Sequence, residues 1–510
     1  MMRSAVVESK WLVRRIVFGA ALVIAGALLV VPLRSQNVSE NDVARRQFEN
    51  GRGHMQRASY DEGLKDFRAI AESYPDSTLA DNALLEIARY YEDIADDPEQ
   101  ASKYADEIIR KYPTSDSAPE ALIVQGEVVM TRSRRRADLY SAVAAFDRVT
   151  GIYPDADSVP RAQYLAAEAV RLALEPALAL QRYRQIVARF PNDPILPKVH
   201  IGAGTAMVAS GDPLGAIDEL QLSRAKDDDS EDAAAALGRL TILYRLFVKP
   251  AQMAPYGNMA DDGLVKLRAT DVQSLFATPR GALLFTNKIA VLASNESARE
   301  LVPTGVLKPR AVAQDRIGRV VVIDAGVLKR KGLPPLTLAV PQGNAPKLLE
   351  DAVAAVNLRN GEWLVTSDDD RGIDRFSSAG KFIAVASPGR AARLALDEFD
   401  RLAVLDQDGK TVKLYDETGK PIGSISQKGA GYELRNPVDL AFDSFGHLYV
   451  LERNAVFVFA PFQKPVALIR SYTEPEKSPG AFPRATALAI DATGRLFIAD
   501  ERAERIRAYN

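Results

Sequence analysis

Three histidines, His54, His200 and His447, are the chain's only imidazoles, and they stand far apart. No pair has metal-ligand spacing such as H-E-x-x-H, and neither a G-x-S-x-G nucleophile turn nor a phosphate-cradling G-x-x-x-x-G-K occurs. There is no cysteine, which removes thiol catalysis, zinc ribbons, disulfides and a lipidated N-terminal Cys. Carboxylates and arginines are left to do chemistry. Asn287, Asp324, Ser367, Asp406, Glu452 and Asp500 recur at one register, and Asp315, Asp397, Asp443 and Asp491 at another. A ring of such groups suits a central metal, but recurrence in unit after unit marks turn and hydrogen-bonding groups, since a catalytic set would break the symmetry. SDDDRGID, Ser367 to Asp374, does break the register, and reads as a solvated turn rather than a calcium site. The acidic run Asp227, Asp228, Asp229, Glu231 and Asp232 lacks the alternating spacing of a calcium loop and precedes a helix, whose dipole it favours. TRSRRR places Arg132, Arg134, Arg135 and Arg136 in one connection, where they suit anionic lipid, glycan or an acidic protein face. With no aromatics interleaved, that run does not suit single-stranded nucleic acid. The expectation is a chain without a catalytic set, cofactor or metal.

The elements that must carry these groups come in two kinds. From about Ser39 to Lys249 the pattern is helical, and Tyr74-Pro75, Tyr112-Pro113, Tyr153-Pro154 and Phe190-Pro191 recur at intervals of 38, 41 and 37 residues. Proline cannot continue a helix, so each pair closes one. Twelve residues before each proline stands a small residue (Gly63, Ala101, Ala142, Ala179), eight before it Phe67, Ala105, Phe146 or Tyr183, and five before it Ile70, Ile108, Val149 or Ile186. Those steps lie on one helical stripe, the small residue admitting a neighbouring helix. The register resembles the tetratricopeptide repeat, with Gly51 at that family's first-helix glycine. YPDSTLADNALLEIA and YPTSDSAPEALIVQG resemble the variant of bacterial envelope assembly proteins, including the Tol-Pal coordinator and the barrel-assembly lipoproteins. The resemblance implies a helical solenoid and a protein-binding habit. A degenerate fifth unit begins at GDPLGAIDELQL, and Glu231 to Phe247 reads as an amphipathic last helix able to cover the open end.

After Lys249-Pro250, short apolar runs follow Gly281, Gly318, Gly361, Asp400, Gly446 and Gly494, and the first-to-last span of 213 residues gives about 43 per unit. A unit of that length holds a four-stranded meander, and six such sheets packed around an axis make a β-propeller. The D-x-x-G turn followed by four apolar residues and an acid resembles the NHL-type propellers and their gluconolactonase-like relatives. The last unit offers three strands before Asn510, so Gly263 to Ala269 is expected to supply the fourth and seal the ring.

At 510 residues, 47% hydrophobic and 26% charged, the chain is too long for one core and suits two soluble domains. A formal net charge of −2 gives no general attraction to nucleic acid. Arg3, Lys10, Arg14 and Arg15 precede the uncharged stretch Ile16 to Leu33, whose eighteen residues would span about 27 Å as a helix. Residues 1–15 are therefore expected in the cytoplasm, 16–33 as a transmembrane signal-anchor, and the rest exported; a cleaved signal peptide is the competing reading. The remaining division is a tetratricopeptide-like all-α array over 39–250, a linker over 251–262 and a six-bladed all-β propeller over 263–510. Taken together with the resemblances, this implies a single-pass inner-membrane protein of the bacterial envelope, its bulk periplasmic. It would be a scaffold binding protein or peptide partners through the repeat groove and a propeller face. A lactonase- or lyase-like enzyme recruiting substrate through its repeats, and a cell-wall polysaccharide binder, are the alternatives. The last would need exposed aromatics at the channel, where Trp363 is the available tryptophan.

Overall fold

The computed structural model describes residues 40–133, 135–225, 229–257, 271–278, 283–287, 289–342, 345–368, 371–387, 389–406, 410–473 and 481–509. The expected membrane segment Ile16–Leu33, the expected closing strand Gly263–Ala269, and Arg134, Asp227, Asp228, Gly281, Asp369 and Asp370 lie outside them. Among the described residues no helix is long and apolar enough to cross a membrane.

Eleven α-helices come first among the described elements: α1 (Glu40–Gln56), α2 (Tyr60–Ser73), α3 (Ala80–Asp93), α4 (Pro98–Lys111), α5 (Ser117–Arg132), α6 (Arg136–Ile152), α7 (Val159–Leu172), α8 (Pro176–Arg189), α9 (Leu196–Ala209), α10 (Gly215–Arg224) and α11 (Glu231–Leu243). Each packs mainly on its sequence neighbours, as in a helical-hairpin solenoid. Helices α2, α4, α6 and α8 end one residue before Tyr74, Tyr112, Tyr153 and Phe190, the residues that precede the recurrent prolines. The repeat stripe is their core face: Phe67, Ala105, Phe146 and Tyr183 are each fully buried, as are the small residues and the aliphatics flanking them. Glycine is required where the aromatics meet the facing helix. A Cβ on Gly126 would stand 2.3 Å from the Phe146 ring, and one on Gly51 2.7 Å from Phe67. The tyrosines before proline also link the units, Tyr112 Oη donating to the Pro75 carbonyl at 2.8 Å and Tyr153 Oη to that of Pro113 at 2.6 Å.

Helix α11 is capped by Ser230, whose hydroxyl accepts from Ala233 N at 3.1 Å, and continues as a π-helical turn over Tyr244–Val248. It packs on α10 and α9, but the opposite face is not open to solvent as a terminal cap would be: Ile242 and Leu246 join the core of the second domain.

That domain is a six-bladed β-propeller. Blade 1 contains Ser274–Ala277, Leu283–Thr286 and Val291–Ala293; blade 2 Pro309–Gln314, Val320–Asp324, Val327–Arg330 and Leu336–Thr337; blade 3 Ala352–Asn357, Trp363–Ser367, Ile373–Phe376 and Phe382–Ser387. Blade 4 contains Ala391–Leu396, Leu402–Asp406, Thr411–Tyr415 and Pro421–Ile425; blade 5 Pro437–Phe442, Leu448–Glu452, Ala455–Ala460 and Ala467–Thr473; blade 6 Ala485–Ile490, Leu496–Asp500 and Arg505–Tyr509. All pairings are antiparallel between sequence neighbours, and the first strands touch around the ring, blade 6 to blade 1 included. The second strands are the apolar runs seen in the sequence, buried between blades. Trp363 is among them, 1% exposed, so it stands in the core rather than at the channel.

The recurrent acids have structural partners. Asp315, Asp397, Asp443 and Asp491 each accept backbone N–H groups two and four residues on, folding the turn between first and second strand. The same carboxylates hold Arg319, Arg401, His447 and Arg495 at 2.6–2.9 Å. Gly318, Gly446 and Gly494 close these turns at φ 87°, 78° and 68°, and Asp400 does so at 62°. Asp324, Glu452 and Asp500 accept the backbone N–H of Lys308, Asn436 and Arg484, just ahead of their own blades' first strands. Their lone pairs bind backbone rather than converge on a channel.

Candidate functional site

The two faces of the ring differ. The turns that follow the first strands face the helices, and the helical array lies against them. Arg171 of α7 is buried there, donating to Glu398 at 2.7 Å and to Glu168 at 2.8 Å. Its charge is held firmly, the carboxylates offsetting the desolvation that would otherwise weaken it. Asp96, between α3 and α4, pairs with Arg316 of the blade 2 turn and with Arg132. Arg245 donates to the Gly494 carbonyl, and Gly238 of α11 lies so close to the blade 6 turn that a Cβ would stand 2.2 Å from the Ala492 carbonyl oxygen. Tyr256, fully buried, exchanges a 2.8 Å hydrogen bond with Tyr449 Oη. Burial pushes its hydroxyl up to about 12, so it stays protonated as a hydrogen-bonding group.

Arg132 and Arg135 of the TRSRRR run line a cleft of about 670 Å³ with Asn360, Arg375, Glu417 and Thr418 of the propeller. Their charges have partners within the chain: Arg132 reaches Asp96 at 2.6 Å, Arg135 grips Asp138 with two bonds of 2.8 Å, and Arg136 pairs with Glu175. The three histidines remain apart, His200 on Glu219 at 2.8 Å, His447 on Asp443 at 2.9 Å and His54 near Asp66 at 3.9 Å. Among the described residues no group of three or more His, Asp or Glu side chains is arranged to hold a metal ion.

The opposite face is open. A cavity of about 640 Å³ forms the mouth of the central channel, and a second of about 540 Å³ continues along the first strands towards Glu398. The first strands of blades 2 to 6 share one irregularity: the pairing register slips after Pro309, Ala352, Ala391, Pro437 and Ala485. The extra residue at each slip, Arg310, Val353, Ala392, Val438 and Thr486, lines the mouth. A bulge re-aims a side chain, and the fold here repeats that device five times around one opening. The following position reads Ala311, Ala354, Arg393, Asp439 and Ala487.

Arg393 lines both cavities. From blade 4 its Nη2 donates to the Gln273 carbonyl of blade 1, across the ring, at 3.2 Å, and its Nε lies 3.6 Å from Asp439 Oδ1. The Asp439 carboxylate also accepts Leu440 N and Leu488 N at 2.9 Å, tying blade 5 to blade 6. Burial raises the Asp439 pKa against the pull of Arg393. The rim adds Lys410, Arg453 and Arg484 from the turns after the second strands and before blade 6, with Asp368, Asp406 and Glu501. The repeated acids had announced themselves in the sequence; these mouth residues had not, because nothing in a chain of short strands marks which residue a bulge turns inward.

Residues 40–194 match the protein family described as YfiO, outer membrane lipoprotein. No curated protein matches the chain. Among solved structures, the chain is similar to virginiamycin B lyase from Staphylococcus aureus, with 15% identity over 48% of this chain and 80% of that one and a TM-score of 0.33. It is similar also to a gluconolactonase from Xanthomonas campestris, with 16% identity over 47% and 86% and a TM-score of 0.37. A thermophilic TPR protein from Thermus thermophilus matches at 15% identity over 38% of this chain and 98% of that one, TM-score 0.30. The chain thus joins a tetratricopeptide-type array, of the kind found in an outer membrane lipoprotein family, to a six-bladed propeller.

Proposed function

We propose that the protein is an exported, membrane-anchored scaffold of the bacterial cell envelope that binds protein or peptide partners through its helical array and presents the propeller as a rigid platform. One observation carries this reading: the array matches an envelope lipoprotein family over 40–194 and is built as stacked helical hairpins, an architecture whose extended surface suits protein binding. Docking by Arg171, Arg245 and Tyr256 supports a platform that moves with the array. The N-terminal stretch Ile16–Leu33 would anchor the chain in the inner membrane with residues 1–15 in the cytoplasm, and the exposed surface of the array, with the Arg132 to Arg136 connection at its edge, would meet the partner. The domain division at 39–250, 251–262 and 263–510 is part of the same proposal.

Two experiments test it. Protease treatment of spheroplasts should digest the chain from outside while alkaline carbonate leaves it in the membrane; resistance to external protease refutes export, and release by carbonate refutes the anchor. Photocrosslinking residues placed on the full chain at exposed positions of α4 and α6 should trap one defined envelope protein, whereas adducts formed only from the channel mouth would transfer the binding role to the propeller. A lyase- or lactonase-like enzyme is the second reading, favoured by the asymmetric polar residues Arg310 and Arg393 at the mouth and Asp439 in the channel behind them.

A further inference from the structure

We propose that the mouth of the propeller channel binds a compact oligoanion, a small molecule or chain end carrying two or more carboxylate or phosphate groups. Three observations converge on this.

The first is broken symmetry. At the five equivalent bulges the inward residue is Val353, Ala392, Val438 and Thr486 in blades 3 to 6 and Arg310 in blade 2. At the next position alanine stands in three blades, and Arg393 and Asp439 in the other two. Other blades fold with an uncharged side chain at each of these places, so a cation there is not a requirement of the blade, although Arg393 also ties blade 4 to Gln273 and Asp439.

The second is charge. The described lining holds five cations, Arg310, Arg393, Lys410, Arg453 and Arg484, against three carboxylates. Glu501 is taken by Arg484 at 2.9 Å. Asp406 is held at 2.8 Å by Lys413, which does not line the cavity, so this carboxylate is neutralised from outside. Arg310, Lys410 and Arg453 have no ion-pair partner among the described residues, whereas the arginines that dock the helices, Arg171 and Arg316, both do. Like charges converging on a concave wall repel one another, and an anion placed among them removes that repulsion; guanidinium groups add paired hydrogen bonds to carboxylate or phosphate oxygens.

The third is shape. About 640 Å³ is the size of a small-molecule site rather than of a protein interface. Arg393, strung across the ring, divides it from the channel behind and gives it a charged floor. The ligand would rest on Arg393 with Arg310, Lys410 and Arg453 around its rim. The inference is independent of the scaffold reading, which concerns the helical array.

Asp368, Asp406 and Glu501 line the same mouth, so a divalent cation is the opposing occupant. The test uses the full-length protein and isothermal titration with citrate, inorganic pyrophosphate and calcium chloride, at low salt and at about 0.15 M. Citrate or pyrophosphate should bind with Kd on the order of 10 to 100 µM, weakening as salt rises. The double substitution Arg310→Ser with Arg453→Ser should weaken that binding at least tenfold, Arg393→Gln should weaken it too, and the exposed control Arg299→Ser should not. Unchanged circular dichroism and Tm would show that the variants fold. The proposal is overturned if neither anion binds, if binding survives the double substitution in a folded protein, or if calcium binds in their place. Retention of the α4 and α6 crosslinks in the double variant would separate failure here from failure of the scaffold reading.

Discussion

The covered and open faces of the propeller are built from the same repeated strands yet differ in how completely their cations are paired. On the covered face, Arg171, Arg316 and Arg401 each pair with a carboxylate, and the helices shield them. At the open mouth Arg310, Lys410 and Arg453 have no such partner among the described residues. Repetition explains the first set: a D-x-x-G turn recurs because each blade needs it. The second set is confined to single blades, and the fold does not require it. In a repeat protein, charges that recur with the architecture maintain it, and charges that depart from it are the ones to examine for binding.

The largest effect should come from the covered face. Replacing Arg171 with alanine leaves Glu168 and Glu398 facing each other without the guanidinium that joins helix to blade. Breaking a buried pair by removing one partner costs about 3–5 kcal/mol, reduced here because Glu398 is 37% exposed. Chemical denaturation should show a loss of about 2–3 kcal/mol, and limited proteolysis should cut sooner between array and propeller. A loss below about 0.5 kcal/mol would remove the contrast between the faces.

Next in size are the turn aspartates. Asp491→Ala removes two backbone acceptor bonds and the 2.6 Å bond from Arg495, and should cost about 1–3 kcal/mol. Because Asp315, Asp397 and Asp443 accept the same two backbone N–H groups of the turn, their substitutions should cost similar amounts. One blade standing far apart from the rest would mean that its aspartate has a role beyond the turn.

These aspartates show what was legible in advance. The aromatic-proline register located four helix ends, and the stripe counted back from each proline is the buried face. Both readings worked because helix and blade geometry repeat with fixed periods. The docking of α11 could not be read in this way: its apolar face matched a terminal cap, and only the folded chain shows that the blade 6 turn covers it. The arginine run was visible, but its partners Asp96 and Glu175 are brought to it by solenoid packing from neighbouring units. The mouth was the least legible part, because a bulge arises from the pairing of two strands rather than from the residue it turns inward.

The helical side of the comparison also has a pH signature. Burial pushes the Glu92 carboxyl up to about 9, with Glu127 and Asp93 adding repulsion and Arg161 and Arg89 opposing it. A raised carboxyl pKa means that the folded chain holds the proton more tightly than the unfolded one. Its contribution to stability is therefore complete below the ordinary value of 4.5 and is lost as pH rises through about 9. Stability should fall between about pH 5 and pH 9 by at most ~1.4 kcal/mol per pH unit from this group. Glu92→Gln, which cannot ionise, should flatten that slope and leave the variant the more stable protein at the alkaline end. Parallel slopes for the two proteins would show that Glu92 ionises normally in the fold.

The smallest expected effect bears most directly on the mouth. Arg310→Ser, Lys410→Ser and Arg453→Ser each remove a cation that has no ion-pair partner among the described residues and lies on an exposed residue. Surface substitutions away from structural contacts stay within about 0.5 kcal/mol, and the triple variant relieves mutual repulsion. Its Tm should therefore match or slightly exceed the parent's, with the gain shrinking as salt screens the charges. A drop comparable to that of Asp491→Ala would make these cations part of the blade framework and erase the distinction between the two faces. An unchanged or raised Tm leaves three exposed cations at one opening that stability does not explain, which is the condition a binding site has to meet.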